Sequence, residues 1–258
     1  MIYNDEIEAR LHDRLRLPES ASTVPGSLPV LFFGDLPMAK VATVSLNPSK
    51  REYQSAKGEE LGGLERRFET LGSLGARDRS GLESWQCNRA ISTMRGYFDP
   101  GRPVYSWFNG LSRVLDGMGV PYWRRQAAHL DLVQEATDPT WSQLSAERPE
   151  EARALLAEDR GFLRWQIETF PLQVLVCNGR STFDAVSGLL GAEVVSSDKV
   201  ARLTWSVAVG QARGRDVGVL GWNLPLARPT GLTSGGQVEL GRLFRKHLMQ
   251  VGFLNDEV

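Results

Sequence analysis

The chain has 258 residues, 41% hydrophobic and 24% charged, with a formal net charge of −1. That size and balance suit one α/β domain with a sizeable core, and they exclude both a disordered chain and a protein that coats nucleic acid by bulk positive charge. Cys87 and Cys177 are the only cysteines and stand far apart without a Cys-x-x-Cys or Cys/His cluster, so neither a disulfide framework nor a zinc or iron–sulfur site is indicated and no cofactor is expected.

Met1 to Arg16 is charged at helical spacing rather than basic and then apolar, and no apolar run approaches a membrane span, so a cytoplasmic protein without membrane contact is expected. Ile2 to Leu17 reads as a helix, Pro18 to Pro29 as a loop, and Val30 to Phe33 as a short strand turning at Gly34-Asp35. Val41 to Leu46 is β-branched and free of charge, the pattern of a buried central strand. Residues 50–104 form a polar, Gly-punctuated stretch of mostly helical pattern, too long for a simple connection and expected to build a pocket wall or lid.

Tyr105 to Met118 follows as an amphipathic helix, with Trp107, Leu111, Val114 and Leu115 on one stripe. His129 to Val133 reads as a strand whose alternation sets His129 and Asp131 on one face. A helix over Pro149 to Phe170, a strand over Val174 to Cys177 with its helix, a strand pair at Leu203–Val209 and Val217–Gly221, and a helix over Val238 to Val251 complete the chain. No linker composition divides it, so one domain is expected.

Two strand exits carry the chemistry. The first reads Leu46-Asn47-Pro48-Ser49; the second, between Gly221 and the last helix, reads Arg228-Pro229-Thr230-Gly231-Leu232-Thr233. With Val174-Leu-Val-Cys-Asn-Gly-Arg180 between them, the chain over roughly residues 30 to 250 resembles the uracil-DNA glycosylase superfamily, particularly its mismatch-specific branch. The resemblance implies a three-layer α/β sandwich around a central, mainly parallel sheet. It also implies a monofunctional DNA glycosylase that uses water rather than a lysine nucleophile, acts on double-stranded DNA and needs no obligate protein partner.

On that resemblance Asn47 would hold the attacking water, with Asp35 as an alternative base because an Asn cannot abstract a proton. Arg228 stands where relatives carry His or Asn, and would either stabilise charge on the departing base or clamp a phosphate. Ser49, Pro229, Thr230, Gly231 and Thr233 would contact DNA, and Leu232 would fill the gap left by the flipped nucleotide. Tyr97, Phe98 and Tyr53 are the aromatic candidates to cover the base.

Asp131 is the substrate clue, with His129 beside it. An ionised Asp accepts from the exocyclic amine of cytosine and disfavours uracil, and a protonated one would also donate to the cytosine ring nitrogen. Excising ordinary cytosine would destroy the host genome, so the expectation is a modified cytosine, hydroxymethylated or glucosylated as in some phage DNA, and a role in anti-phage defence through abasic sites. A uracil or mismatch repair enzyme, an inert DNA-binding module and a hydrolase of free nucleosides remain alternatives.

Overall fold

The computed structural model of the protein describes residues 3–226 and 230–254. The chain is α/β, with a six-stranded mixed sheet and seven helices of seven or more residues among the described residues. Backbone packing groups it into two compact units, one of Met1–Gly34, Leu46–Tyr105 and Asp131–Leu163, the other of Asp35–Ser45, Ser106–Leu130 and Arg164–Val258. Each unit is assembled from separated segments, which is why no linker composition marks a boundary in the sequence.

The second unit carries the sheet, apart from Asp131 at the end of one strand. Its strands are β1 (Val41–Ser45), β2 (Ala127–Asp131), β3 (Val174–Cys177), β4 (Glu193–Val200), β5 (Leu203–Ala212) and β6 (Arg215–Trp222), in the order β2-β1-β3-β6-β5-β4. β1, β3 and β6 run parallel, with Val41 opposite Val174 and Val174 opposite Gly218, while β6, β5 and β4 are antiparallel. β1, β2 and β3 are buried throughout; β1 and β3 accordingly read as uncharged, largely apolar runs, whereas β2 buries His129 and Asp131 as well. β4 was not expected: it is mostly exposed and polar, and pairing with β5 rather than its own pattern makes it a strand.

Helices α3 (Asn109–Met118) and α7 (Ser234–Gln250) pack on each other in this unit, and α6 (Arg180–Leu190) packs on β3, β5 and β6. A Cβ at Gly117 would lie 2.0 Å from the Val238 carbonyl oxygen, and one at Gly241 would lie 2.0 Å from that of Val114. Only glycine permits so close an approach of two backbones. Trp222 stacks on Phe244 with ring centroids 5.7 Å apart, and Trp205 meets the same ring edge-on at 5.6 Å.

The first unit contains α1 (Asn4–Leu15), α2 (Ser84–Arg95), α4 (Trp141–Glu147) and the start of α5 (Pro149–Thr169). Two sequence expectations fail here. Val30 to Phe33 does not form a ladder strand; it is a fully buried irregular segment whose Val30 N–H donates to the Gln134 carbonyl at 2.8 Å. The stretch after Ser49 is not mostly helical: before α2 it holds only single turns at Lys50–Glu52 and Gly63–Glu65, because its glycines interrupt any helical run.

The core of this unit is partly ionic. Arg79 grips Glu135 with both terminal nitrogens at 2.7 and 2.9 Å and reaches Glu19 at 2.6 Å, while Arg14 contacts Glu135 at 3.2 Å and Asp159 at 2.7 Å. Arg14, Glu135 and Asp159 are wholly buried, so their charges need one another. Burial, outweighing Arg14, pushes the Asp159 carboxyl up to about 6.

Candidate functional site

Of the residues expected from sequence, Asn47, Ser49, Tyr53, Tyr97, Phe98 and Asp131 belong to the first unit. The chain enters it at Leu46, directly after β1, and again at Asp131, the last residue of β2. Strand exits supply side chains whose backbones are already fixed, the usual location of chemistry in open sheets.

Asn47 is pinned through one end of its amide. Its Nδ2 donates to the Pro48 carbonyl at 3.0 Å, to the Glu135 carbonyl at 3.2 Å and to Thr137 Oγ1 at 3.0 Å. Two backbone carbonyls among these acceptors fix which end is the nitrogen. Among the described residues its hydrogen bonds all run through Nδ2, so Oδ1 is the end left to accept from another group. Glu135 is held by Arg79 and Arg14, and those arginines thereby position Asn47 through the Glu135 backbone. Ser49 caps the turn that follows, its Oγ accepting from the Arg51 N–H at 3.2 Å, and pairs with Thr137 through an isolated bridge.

The turn carries Glu52 inward to 2% exposure, a position the sequence reading missed. Tyr97 donates its hydroxyl to Glu52 Oε2 at 2.7 Å and accepts from the Tyr105 N–H at 3.1 Å. Burial pushes the Glu52 carboxyl up to about 8, the Tyr97 hydrogen bond and Arg67 pulling it down less strongly and Asp131 adding to the rise. Glu52 therefore keeps its proton at neutral pH, the state weighed from sequence for Asp131. Burial first, and Glu52 second, hold the Tyr97 hydroxyl well above the ordinary tyrosine range.

The three aromatic candidates form the wall behind Glu52. Tyr97 stacks on Phe68 with centroids 5.1 Å apart and meets Phe33 and Phe98 edge-on, each at 4.9 Å. Tyr53 packs against Phe68 at 5.9 Å and donates its hydroxyl to the Leu28 carbonyl at 2.5 Å. All three are buried. Tyr105, half-buried, is the aromatic that lines a cavity of this unit, with the Arg67 guanidinium 5.6 Å over its ring.

The second unit holds the other expected residues. His129 is buried, its Nδ1 2.7 Å from Thr43 Oγ1 and its ring 4.9 Å from Phe108 and 5.7 Å from Trp107. Those contacts belong to the unit's packing. Asp35 stands 3.6 Å from Arg125. Arg228 and Pro229 lie outside the described residues. Thr230 Oγ1 accepts from the Leu232 N–H at 3.3 Å, Gly231 has φ +79°, and Thr233 caps α7 by accepting from Gly236 N–H at 3.1 Å. Leu232 is half-buried against Gly236, whereas Leu64, in the Gly63–Glu65 turn of the first unit, is 96% exposed.

Cys87 and Cys177 are both free and buried, and burial pushes the Cys87 thiol up to about 11 and that of Cys177 higher still, so neither is a nucleophile at neutral pH. Among the described residues no group of three or more His, Cys, Asp or Glu could hold a metal ion, and no helix is long and apolar enough to cross a membrane. Neither a protein-family model nor a curated protein sequence matches the chain.

Proposed function

We propose that this protein is a monofunctional DNA glycosylase of the uracil-DNA glycosylase type, built as a three-layer sandwich, that removes a modified cytosine from double-stranded DNA. The observation that carries the reading is Asn47, whose Nδ2 is saturated by three protein acceptors and whose Oδ1 is left for a water. A carboxamide so held orients a water by accepting one of its protons without removing it. The rate then depends on how well the leaving base is stabilised.

In the reaction the glycosidic bond breaks with its electron pair going to the base, the oriented water adds to the anomeric carbon, and the water's proton passes to solvent. Protonated Glu52 supplies a hydrogen-bond donor at neutral pH, and Asp131, whose charge Glu52 feels, supplies an acceptor suited to an exocyclic amine. This donor and acceptor set matches the edge of cytosine better than that of uracil. Arg228 completes the proposal as a charge stabiliser or phosphate clamp. A hydroxymethyl or glucosyl mark is the form that spares host DNA, which gives the enzyme a role in anti-phage defence inside the cell.

The test is mass-spectrometric detection of free base released from matched duplexes containing uracil, cytosine, hydroxymethylcytosine or glucosylated hydroxymethylcytosine. Release of a modified cytosine alone supports the proposal. Release of uracil alone makes the protein a repair enzyme, and tight binding without release of any base makes it a binding module.

A further inference from the structure

A cavity of about 360 Å³ in the first unit is lined by Arg51, Gln54, Leu61, Glu65, Arg67 and Tyr105, among others. Its volume lies in the range of sites for small organic ligands, roughly 300–1,000 Å³. The two arginines distinguish it. Neither Arg51 nor Arg67 makes an ion pair among the described residues, and of the arginines of this unit without one these two line the cavity together.

Arg67 is set in place without being neutralised. One terminal nitrogen donates to the Arg51 carbonyl at 2.6 Å, the Arg67 carbonyl accepts from Arg102 at 3.2 Å, and the guanidinium lies 5.6 Å over the Tyr105 ring. A guanidinium held in place at a cavity wall and without an ion pair among the described residues suits a phosphate, which accepts a planar fork of two N–H groups.

The remaining lining fits the rest of a nucleotide. Tyr105 and Leu61 offer an aromatic and an apolar surface, and Gln54 and Glu65 offer acceptors for a hydroxyl or an amine. Glu65 repels an anion, but it is exposed and its charge is screened by water. We propose that this cavity is a nucleotide site in which Arg51 and Arg67 bind a phosphate ester while Tyr105 packs against the attached nucleoside. The ester belongs either to a free mononucleotide or to one unit of a DNA strand. The inference stands apart from the glycosylase reading, since it requires no bond cleavage.

The test is titration calorimetry of the intact protein with deoxycytidine, deoxycytidine monophosphate and a single-stranded deoxycytidine tetranucleotide, with inorganic phosphate as competitor. The expected result is binding of the monophosphate at least about tenfold tighter than the nucleoside, about 1.4 kcal/mol, with displacement by phosphate. Arg51→Ala and Arg67→Lys should each weaken it by a similar factor while the far-ultraviolet circular dichroism stays unchanged. A tetranucleotide that binds tighter than the monophosphate assigns the site to a strand, and equal or weaker binding assigns it to a free nucleotide. Phosphate-bearing compounds that bind no better than deoxycytidine would overturn the proposal without any variant, as would wild-type affinity in both folded variants. Base release with no phosphate-dependent binding here would remove this site and leave the glycosylase; the converse would leave the site and remove the glycosylase.

Discussion

The Tyr97 hydroxyl donates to Glu52 Oε2 at 2.7 Å inside a wall of aromatic rings, and this contact holds a carboxylic acid in the first unit's interior. Tyr97 stays protonated and Glu52, with its pKa pushed up to about 8, holds its own proton through neutral pH.

That proton makes stability pH-dependent. Glu52 has a folded pKa of about 8 against an unfolded value of 4.5, so between those values the folded state binds a proton that the unfolded state does not. Its contribution is fully favourable below pH 4.5 and is lost as pH rises towards 8, at about 1.4 kcal/mol per pH unit. Asp159, raised from 3.8 to about 6, adds the same sign at lower pH. Urea denaturation from pH 6 to 8.5 should show stability falling in the wild type and falling less steeply in Glu52→Gln, which should be the more stable protein at the alkaline end. Parallel profiles would mean that Glu52 is ionised at neutral pH.

The buried ion network should be unforgiving of partial removal. Glu135→Gln leaves Arg79 and Arg14 without their shared buried carboxylate, and a cost of roughly 3–5 kcal/mol is expected. Lys50→Ala breaks only the half-exposed pair with Asp138, and a cost under about 1 kcal/mol is expected. Thermal melts of the two variants check the contrast, and comparable losses would contradict it.

Leu64 is more exposed than Leu232, which covers Gly236 at the start of α7, and on the glycosylase proposal the more exposed side chain is the one expected to enter a base stack. Gly62 and Gly63, the latter at φ +55°, present Leu64 on a sharp turn. An apolar wedge matters only where a base must leave a stack. Leu64→Ala should slow excision from duplex by about tenfold, corresponding to about 1.4 kcal/mol of lost transition-state stabilisation, and leave single-stranded substrate nearly unaffected. A larger duplex-specific loss in Leu232→Ala would return the wedge to the second motif.

The sequence made some of this visible and hid the rest for identifiable reasons. β1, β3 and the part of β6 after Asp216 are uncharged runs that an Asn follows closely, and the strand exit at Asn47 is plain because a polar amide follows an uninterrupted buried strand. Glu52 was hidden, because one Glu in a polar stretch looks solvated. It is buried by Tyr97, 45 residues away, together with the rings packed behind it. Glu135 was hidden in the same way, since Arg79, 56 residues distant, reaches it only after folding. β4 escaped because its partner strand, not its composition, makes it a strand. His129 shares a strand face with Asp131 in the sequence pattern, and its packing against Thr43, Trp107 and Phe108 comes from segments far away in sequence.

The most direct test of the glycosylase account is alkali-induced strand cleavage of a duplex carrying glucosylated hydroxymethylcytosine, under single-turnover conditions, by wild type and Asn47→Ala. The account predicts abasic-site formation by the wild type and a loss of roughly 10²–10³-fold in the variant, whose thermal melt should report a folded protein despite the lost hydrogen bonds. Equal cleavage by the two folded proteins would mean that Asn47 does not hold the water, and no abasic sites on any cytosine-containing duplex would contradict the account as a whole.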